Sequence, residues 1–248
     1  MDINRPADIS RPTSKTSTTM AALSDTPWIQ VLMPVAFLAF AAVVAVPPFA
    51  LHILLHPFQY VFTTASLSER ISTLQSKFFY FAWRVMSPVL DPGDKPNKAP
   101  LLAKARGTVL EIGPGVGDNI KYYNRSLVHR LILVEPNTNM HAALREKANQ
   151  SGYFDQDGSL LLLGCGGAAS DEKALALAGV GPDSIDSLMA IHVLCGIPQP
   201  AEAVEMYRRI LKTGGLLTFY EHVRSDQRFT ANWSVYLSNT KPSQNELY

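Results

Sequence analysis

Apolar residues are concentrated near the start of the chain in one long uncharged run. Val31–Leu55 contains no Asp, Glu, Lys or Arg and is interrupted mainly by the Pro47-Pro48 pair. About 20 apolar residues suffice for a helix to cross a bilayer, so the run predicts a membrane anchor. A buried core helix is the alternative, but this segment has no polar face to present to water. Because proline removes a helical hydrogen bond, both a single span and a hairpin that turns near the proline pair remain open.

A second helical pattern follows the uncharged run. From Leu67 to Val85, apolar residues recur at spacings of three and four, as in an amphipathic helix. Phe79, Tyr80 and Trp83 widen its apolar face and favour packing at a membrane interface or over a ligand cleft. Packing on the core of the domain is the alternative. Residues 88–100 are rich in proline and polar residues, which predicts a linker.

From Leu101 onward, short β-rich runs alternate with helical stretches, which predicts a parallel sheet covered by helices on both faces. The predicted division is a disordered leader (1–27), an anchor (28–62), an amphipathic helix with linker (63–100) and an α/β domain (101–248). Strands are predicted at Thr108–Ile112, Arg130–Val134, Ser159–Leu163, Ile185–Ile191 and Leu216–Tyr220, and helices at Asn119–Tyr123, Thr138–Gln150, Asp171–Ala178 and Pro200–Leu211.

Composition narrows the classes of function. The formal net charge is +1 and the basic residues are scattered, so nothing predicts binding to nucleic acid. The two cysteines, Cys165 and Cys195, are too few for a disulfide framework and suit a reducing compartment. No pattern of metal ligands is identified, and the oligomeric state is left open.

The sharpest chemical signal is the glycine-rich run Val109–Asn119, at a predicted strand–helix junction. Glycines there allow a tight turn and close approach of a ligand to the backbone. Where a dinucleotide fingerprint has its third glycine, this chain has Asp118, whose charge would repel a phosphate. Glu111, at the end of the strand, adds negative charge. The loop therefore favours a cationic cofactor without phosphate, such as S-adenosylmethionine.

The next predicted strand ends in Glu135-Pro136-Asn137. An acid at this place, about 20 residues after a glycine loop, can accept hydrogen bonds from both ribose hydroxyls of a nucleoside. S-adenosylmethionine carries such a ribose. Either acid alone could be an ordinary surface charge at a strand end, but the combination around three glycines favours a cofactor site.

These motifs, with Val193-Leu194-Cys195, Arg208–Gly215 and Glu221-His222-Val223, resemble class I methyltransferases. More narrowly, they resemble the membrane-associated branch that includes thiol methyltransferases and fungal relatives. The resemblance covers roughly Leu101 to Arg224 and implies a Rossmann-like doubly wound sheet, S-adenosylmethionine as methyl donor and a small lipophilic acceptor. It also implies a cofactor site formed by Glu111, Gly113, Gly115, Gly117 and Asn119 on the methionine side and by Glu135 on the ribose side. Asn137 is a further candidate cofactor-binding residue.

The chain departs from the family pattern in two places. After the third strand the family usually has an acid near the adenine, whereas here none occurs before Asp171. Few residues follow Glu221, so the sheet is expected to be truncated after the fifth strand, without the terminal hairpin of the fold. This second departure leaves open a non-catalytic protein that retains the cofactor fold.

No catalytic base is identified from the sequence. Methyl transfer requires mainly alignment of donor and nucleophile, and a base helps when the acceptor must lose a proton. His192 and His222 follow the fourth and fifth strands, on the cleft side of such a sheet, and are the candidates; a structural or cofactor-lining role is the alternative for each. Cys195 is interpreted as a packing residue.

The combined prediction is a methyltransferase at a membrane surface, with the lipid bilayer and a lipophilic substrate as its partners. Its expected location is the cytosolic face of the endoplasmic reticulum or of lipid droplets. A nucleotide-dependent oxidoreductase is a further alternative, which Asp118 and the missing third glycine disfavour.

Overall fold

The structure is a computed structural model that describes residues 27–60 and 64–221. Chain contacts divide the protein into two units. One comprises Ala41–Val223 and holds the sheet; the other comprises Met1–Phe40 and Arg224–Tyr248, of which residues 27–40 are described. The predicted leader, apart from its last residue, and the segment after Glu221 lie outside the described residues.

The chain begins with helices. Helix α1 spans Pro27–Leu55 and continues through the Pro47-Pro48 pair, so of the two arrangements left open by the sequence the hairpin at that pair is not observed. A short helix, α2, covers Pro57–Tyr60. Over the residues that the structure describes, no helix has both the length and the apolar character needed to cross a membrane.

Helix α3, Leu67–Leu102, is longer than the sequence pattern predicts. Ser66 caps its first turn: its hydroxyl accepts from the Glu69 N–H, and the Glu69 carboxylate accepts from the Ser66 N–H. The predicted linker at residues 88–100 is wrong, because this segment is helical. Its four prolines are spaced by four residues, so the missing N–H groups fall along one stripe. Buried polar contacts, described below, hold the segment to the domain.

The sheet has five strands within the described residues, and every pair of neighbouring strands is parallel. The strand order is β3-β2-β1-β4-β5, so the chain order reverses between β1 and β4. In open parallel sheets the ligand crevice lies beyond the carboxyl ends of the strands at such a reversal. The strands are β1 Gly107–Ile112, β2 Val128–Val134, β3 Leu160–Leu163, β4 Ile185–Ile191 and β5 Leu211–Tyr220.

Helices cover both faces of the sheet, as the alternating pattern predicts. Leu102 of α3 and Leu144 of α4 (His141–Gln150) pack on one face. Leu175 of α5 (Glu172–Leu177) and Met206 of α6 (Pro200–Ile210) pack on the other. Strand β1 contributes to both cores, since Val109 faces the first and Leu110 the second. The predicted α/β fold class is confirmed.

Most predicted strands and helices agree with the structure to within two residues at each end. The main differences are β5, which begins directly after α6 at Leu211, and the predicted helix Asn119–Tyr123, which is the 3-10 turn Ile120–Tyr122. Strands β3 and β4 lie apart with β2 and β1 between them, and both cysteines are free.

Candidate functional site

The glycine-rich loop after β1 lies at the carboxyl edge of the sheet, beside the reversal of strand order. Gly113, Gly115 and Gly117 have φ values of +61°, +59° and +87°, which L side chains rarely adopt. A Cβ atom at Gly113 would lie 2.4 Å from Cγ2 of Val193, the second residue after β4. The loop therefore requires glycine for its conformation and for its close contact with the end of β4.

Trp83 of α3 covers this loop. A Cβ atom at Gly115 would lie 2.6 Å from Nε1 of the Trp83 indole, so the ring packs directly on the Gly115 backbone. Phe79 stacks on Trp83, with 5.7 Å between ring centroids and 16° between ring planes, and is about half exposed. The aromatic face of α3 thus lies over the cleft. This is one of the two placements that the sequence favours for these residues, the other being a membrane interface.

Glu135 follows β2 and ties two parts of the site together. Its Oε2 accepts from the Gly115 N–H at 2.9 Å, and its Oε1 accepts from the Asn137 N–H at 2.9 Å. Burial raises the pKa of this carboxyl, although the hydrogen bonds from Asn137 and Gly115 oppose the shift. Each carboxylate oxygen has a second lone pair, so Glu135 can accept further hydrogen bonds from ribose hydroxyls.

Asn137 links the end of β2 to α3. Its Nδ2 donates to the Ser76 carbonyl at 2.9 Å, and its Oδ1 accepts from the Asn139 N–H and side-chain amide. The side chain therefore fixes the loop that follows Glu135, and the backbone N–H of Asn137 orients Glu135 itself.

Glu111 lies inside the domain. Its side chain is almost fully buried and accepts from Asn119 Nδ2 and from the Tyr123 hydroxyl, both at 2.8 Å. Burial raises the pKa of Glu111, although these two hydrogen bonds and the nearby charge of Lys98 oppose the shift. Glu111 therefore orients Asn119. Tyr123 is a member of this group that the sequence alone did not indicate.

The sequence suggests an unpaired negative charge on Asp118 at the loop, but in the structure this charge is paired. Its carboxylate forms an ion pair with Lys147 of α4 and accepts from the Ser87 hydroxyl of α3. Because Lys147 compensates the charge, Asp118 repels a phosphate less than predicted. Its role in this structure is to connect the loop to both helices.

Asn119 supplies the observation that tests the fit of S-adenosylmethionine. The residue is 8% exposed, and its Oδ1 is buried without a hydrogen-bond partner among the described residues. A buried amide oxygen is normally hydrogen-bonded, so this atom lacks a donor. The ammonium group of the cofactor's methionine moiety is such a donor. With Glu135 available to the ribose, the residues present fit the cofactor.

The segment after β3 is packed tightly. The Tyr207 hydroxyl donates to the Gly167 carbonyl at 2.6 Å, and a Cβ atom at Gly167 would lie 2.4 Å from Ile112 Cγ2. Asp171, the first acid after the strand, accepts from the Ala168 N–H at 3.1 Å and so begins the following helical turn. Glycine in this segment keeps the backbone close to the end of β1.

Of the two candidate bases, His192 directly follows β4 and lies near the glycine loop, because the next residue, Val193, contacts Gly113. Its backbone N–H donates to the Tyr220 carbonyl at 2.8 Å. His222, the other candidate, lies outside the described residues.

Sequence comparisons identify a family and relatives for this chain. A family model described as a methyltransferase domain matches residues 87–243, more than half of the chain. Thiol S-methyltransferase TMT1B of Rattus norvegicus is 29% identical over 120 residues, which are 48% of this chain and 44% of that protein. Its Homo sapiens counterpart is 24% identical over 158 residues, 60% of each chain. The chain spans about half the length of the curated relatives it matches.

The similarity to solved structures is weaker. A SAM-dependent methyltransferase from Aquifex aeolicus superposes with a TM-score of 0.43 and 16% identity, over 62% of this chain and 84% of that chain.

Proposed function

Because this chain belongs to the class I S-adenosylmethionine-dependent methyltransferases, we propose that it transfers the cofactor's methyl group to a small lipophilic acceptor. Thiols are the preferred acceptor class, since the curated relatives are named thiol S-methyltransferases. Phenols and similar groups of secondary metabolites are the next class.

The contact between Gly115 and Glu135 is the observation that carries this proposal. It joins a glycine loop in the left-handed conformation to a carboxylate at the end of the neighbouring strand. A nucleoside with a cationic side chain matches the two ends of the site: ribose hydroxyls at Glu135 and an ammonium at the Asn119 amide oxygen. The loop backbone lies between these two positions and can approach the ligand closely.

The bound cofactor supplies a methyl group activated by its sulfonium charge. The chain's contribution is orientation, because an in-line displacement depends on holding donor and nucleophile in line. Glu135 and Asn119 fix the two ends of the cofactor, and Trp83 over Gly115 keeps water from that side of the loop.

A lipophilic acceptor is supported by the surface beside the loop. Phe79 is about half exposed and stacks on Trp83, so an apolar surface leads to the Gly115 backbone. Such a surface binds apolar molecules because binding removes their apolar area from water. This burial contributes about 25 cal/mol per Å² to the free energy of binding.

The proposed activity is tested by incubating the full chain with radiolabelled S-adenosylmethionine and a panel of lipophilic thiols and phenols. We expect extractable labelled product with at least one thiol, and none when the donor is omitted. Binding of S-adenosylhomocysteine without transfer to any acceptor would contradict the catalytic proposal and favour the non-catalytic alternative.

We further propose that residues 28–62 anchor the chain to a lipid bilayer. The support is the uncharged run Val31–Leu55 and the distribution of exposed apolar side chains. In the described part of the chain, eleven of the fifteen exposed large hydrophobic side chains lie on α1 and α3. Apolar surface gathered in this way is typical of a membrane or protein contact.

The full chain is therefore expected to stay in the membrane fraction after washing with alkaline carbonate. The uncharged run would contact lipid through apolar interactions, which this wash does not disrupt as it does ionic ones. Deleting residues 1–62 should release it to the supernatant. Deletion of residues 1–26 alone is the matched control and should leave the chain in the membrane. Complete recovery of the intact chain in the supernatant would contradict the anchor.

The domain is proposed to face the cytosol, at the endoplasmic reticulum or on lipid droplets. Three acceptor sequons for N-glycosylation begin at Asn124, Asn149 and Asn232. The first two side chains are exposed, so a lumenal domain could carry glycan on them. Expressed in a eukaryotic host, the protein should show no change in mobility on treatment with an endoglycosidase. A shift that Asn124→Gln abolishes would place the domain in the lumen.

A further inference from the structure

A polar cluster at the carboxyl ends of β4 and β5 is not used by the cofactor site. Its centre is His192, whose Nε2 lies 3.3 Å from Oδ2 of Asp94 on α3. The His192 ring packs against the Tyr220 ring, with 4.7 Å between centroids. The Tyr220 hydroxyl donates to Asp94 Oδ1 at 3.3 Å and accepts from Asn97 Nδ2 at 3.3 Å. Asp94 therefore contacts His192, directly after β4, and Tyr220, the last residue of β5.

The backbone at His192 is in an unusual conformation. Its φ of +54° lies in the left-handed region. This conformation is energetically unfavourable for residues other than glycine. The conformation places the imidazole against Asp94 while the following residue, Val193, contacts Gly113 of the cofactor loop. Residues held in such conformations cluster at functional sites.

We propose that His192 is the general base for acceptors that must lose a proton, and that Asp94 is the positioning residue that holds its ring. This inference rests on the methyl-transfer function proposed above. The Asp94 carboxylate lies 3.3 Å from Nε2 and favours the proton on that nitrogen, so Nδ1 is the basic nitrogen of the neutral ring. For a thiol acceptor, the S–H proton passes to Nδ1 as the sulfur forms its bond to the methyl carbon. The electron pair of the broken methyl–sulfonium bond stays on the donor sulfur, and the imidazolium then releases its proton to water.

A purely structural role for Asp94 would be to fasten α3 to the sheet, but that attachment is made elsewhere. Asp91, one turn earlier, forms a buried ion pair with Lys98 and a further ion pair with Lys121 of the domain. Asp94 is about one third exposed, and its contacts to His192 and Tyr220 are long, at 3.3 Å. Removing its charge therefore changes the environment of His192 more than the attachment of the helix.

The surroundings of His192 contain two further titratable groups. Tyr220 lies against the ring, and Glu221 accepts from the backbone N–H groups of Val193 and Leu194 at 2.9 and 3.1 Å. With Asp94, these groups place negative charge and hydrogen-bond acceptors around the histidine. An imidazolium that forms during proton transfer is stabilised there.

The proposal is tested with two thiols that differ in acidity, using the full chain and radiolabelled donor at pH 7. Hexanethiol is protonated at this pH, as are alkyl thiols in general, with a pKa of about 8.5 or above. 4-Nitrothiophenol is already ionised. His192→Gln and Asp94→Asn should each lower kcat for hexanethiol by at least about tenfold, as for loss of a general base, with little change in KM. The rate with 4-nitrothiophenol should change less than about twofold.

His129→Gln is the matched control, because His129 is an exposed histidine near the start of β2 at the opposite edge of the sheet. It should leave both rates unchanged. The deficit of the other two variants with hexanethiol should also shrink as the pH approaches the pKa of the thiol, because the solvent then supplies the thiolate.

Three outcomes would overturn the proposal. Equal loss of rate with both thiols would show a structural role, and no loss with either would show that neither residue handles a proton. If the wild-type chain transfers methyl to neither thiol, nor to any acceptor of the wider panel, the methyl-transfer function fails and the base fails with it. In the first two outcomes the wild-type chain is active, so they leave that function standing.

Discussion

Replacing Asp91 with alanine is expected to lower the free energy of unfolding by about 3 kcal/mol. The Asp91 side chain is 5% exposed, forms an ion pair with Lys98 Nζ at 2.7 Å, and accepts from Lys121 Nζ at 2.6 Å and from the Tyr122 hydroxyl at 2.7 Å. Lys98 is buried as well. Without the carboxylate, a buried ammonium group loses its counter-charge, and the half of α3 after Ser87 loses its contacts with Lys121 and Tyr122.

The measurement is chemical unfolding of the full chain in detergent, followed by circular dichroism. Asp155→Ala is the matched control. Asp155 pairs with Arg145 at 2.8 Å, but both side chains are exposed, so its removal should cost less than about 1 kcal/mol. Equal and small effects of the two variants would contradict a stabilising role for the buried cluster.

The same cluster makes stability depend on pH. Burial by itself would raise the pKa of Asp91, but the hydrogen bonds from Lys121, Lys98 and Tyr122 outweigh it and lower the pKa to about 2. Because the pKa in the folded state lies below the ordinary 3.8, the stabilisation is present above about pH 4 and is lost as the pH falls toward 2. Asp91→Asn should remove this part of the acid dependence.

Glu135→Ala is expected to weaken binding of S-adenosylhomocysteine about 10- to 100-fold, since a charge-assisted hydrogen bond contributes about 1.5–3 kcal/mol. The variant loses the acceptor for the ribose hydroxyls. It also releases the N–H groups of Gly115 and Asn137 that the carboxylate holds at 2.9 Å. Titration calorimetry of the full chain in detergent measures the change.

Glu146→Ala serves as its control, because Glu146 is an exposed acid on α4 whose carboxylate accepts a long hydrogen bond from Gln150, at 3.3 Å. It should leave the affinity unchanged. An unaltered affinity in Glu135→Ala as well would remove Glu135 from the ribose site. Unfolding of both variants at the same denaturant concentration would show that the fold is retained.

The sheet could be predicted from the sequence because its strands are short apolar runs with clear boundaries. β4, Ile185–Ile191, has the predicted bounds, and β1 differs by one residue. Local signals sufficed here: runs buried on both faces must be apolar along their whole length. The glycine loop was equally predictable, since a φ of +61° at Gly113 leaves little choice of residue.

The extent of α3 could not be predicted, because tertiary contacts override the local effect of its prolines. From the sequence, Asp91 and Lys98 are predicted to be exposed residues of a linker. The contacts of Asp91 with Lys121 and Tyr122 form only in the folded domain. The orientation of the Glu111 side chain could not be predicted either, because it also depends on tertiary contacts. Its partner Tyr123 has no sequence signal, and a strand-end acid can face either solvent or the core.

The most direct measurement of the central claim is a calorimetric titration of the full chain, in detergent, with S-adenosylmethionine and separately with NAD. An S-adenosylmethionine site at the glycine loop and Glu135 predicts saturable binding of S-adenosylmethionine and of S-adenosylhomocysteine, and no detectable binding of NAD. Saturable binding of NAD, without binding of either sulfur-containing nucleoside, would contradict the account and assign the loop to a dinucleotide.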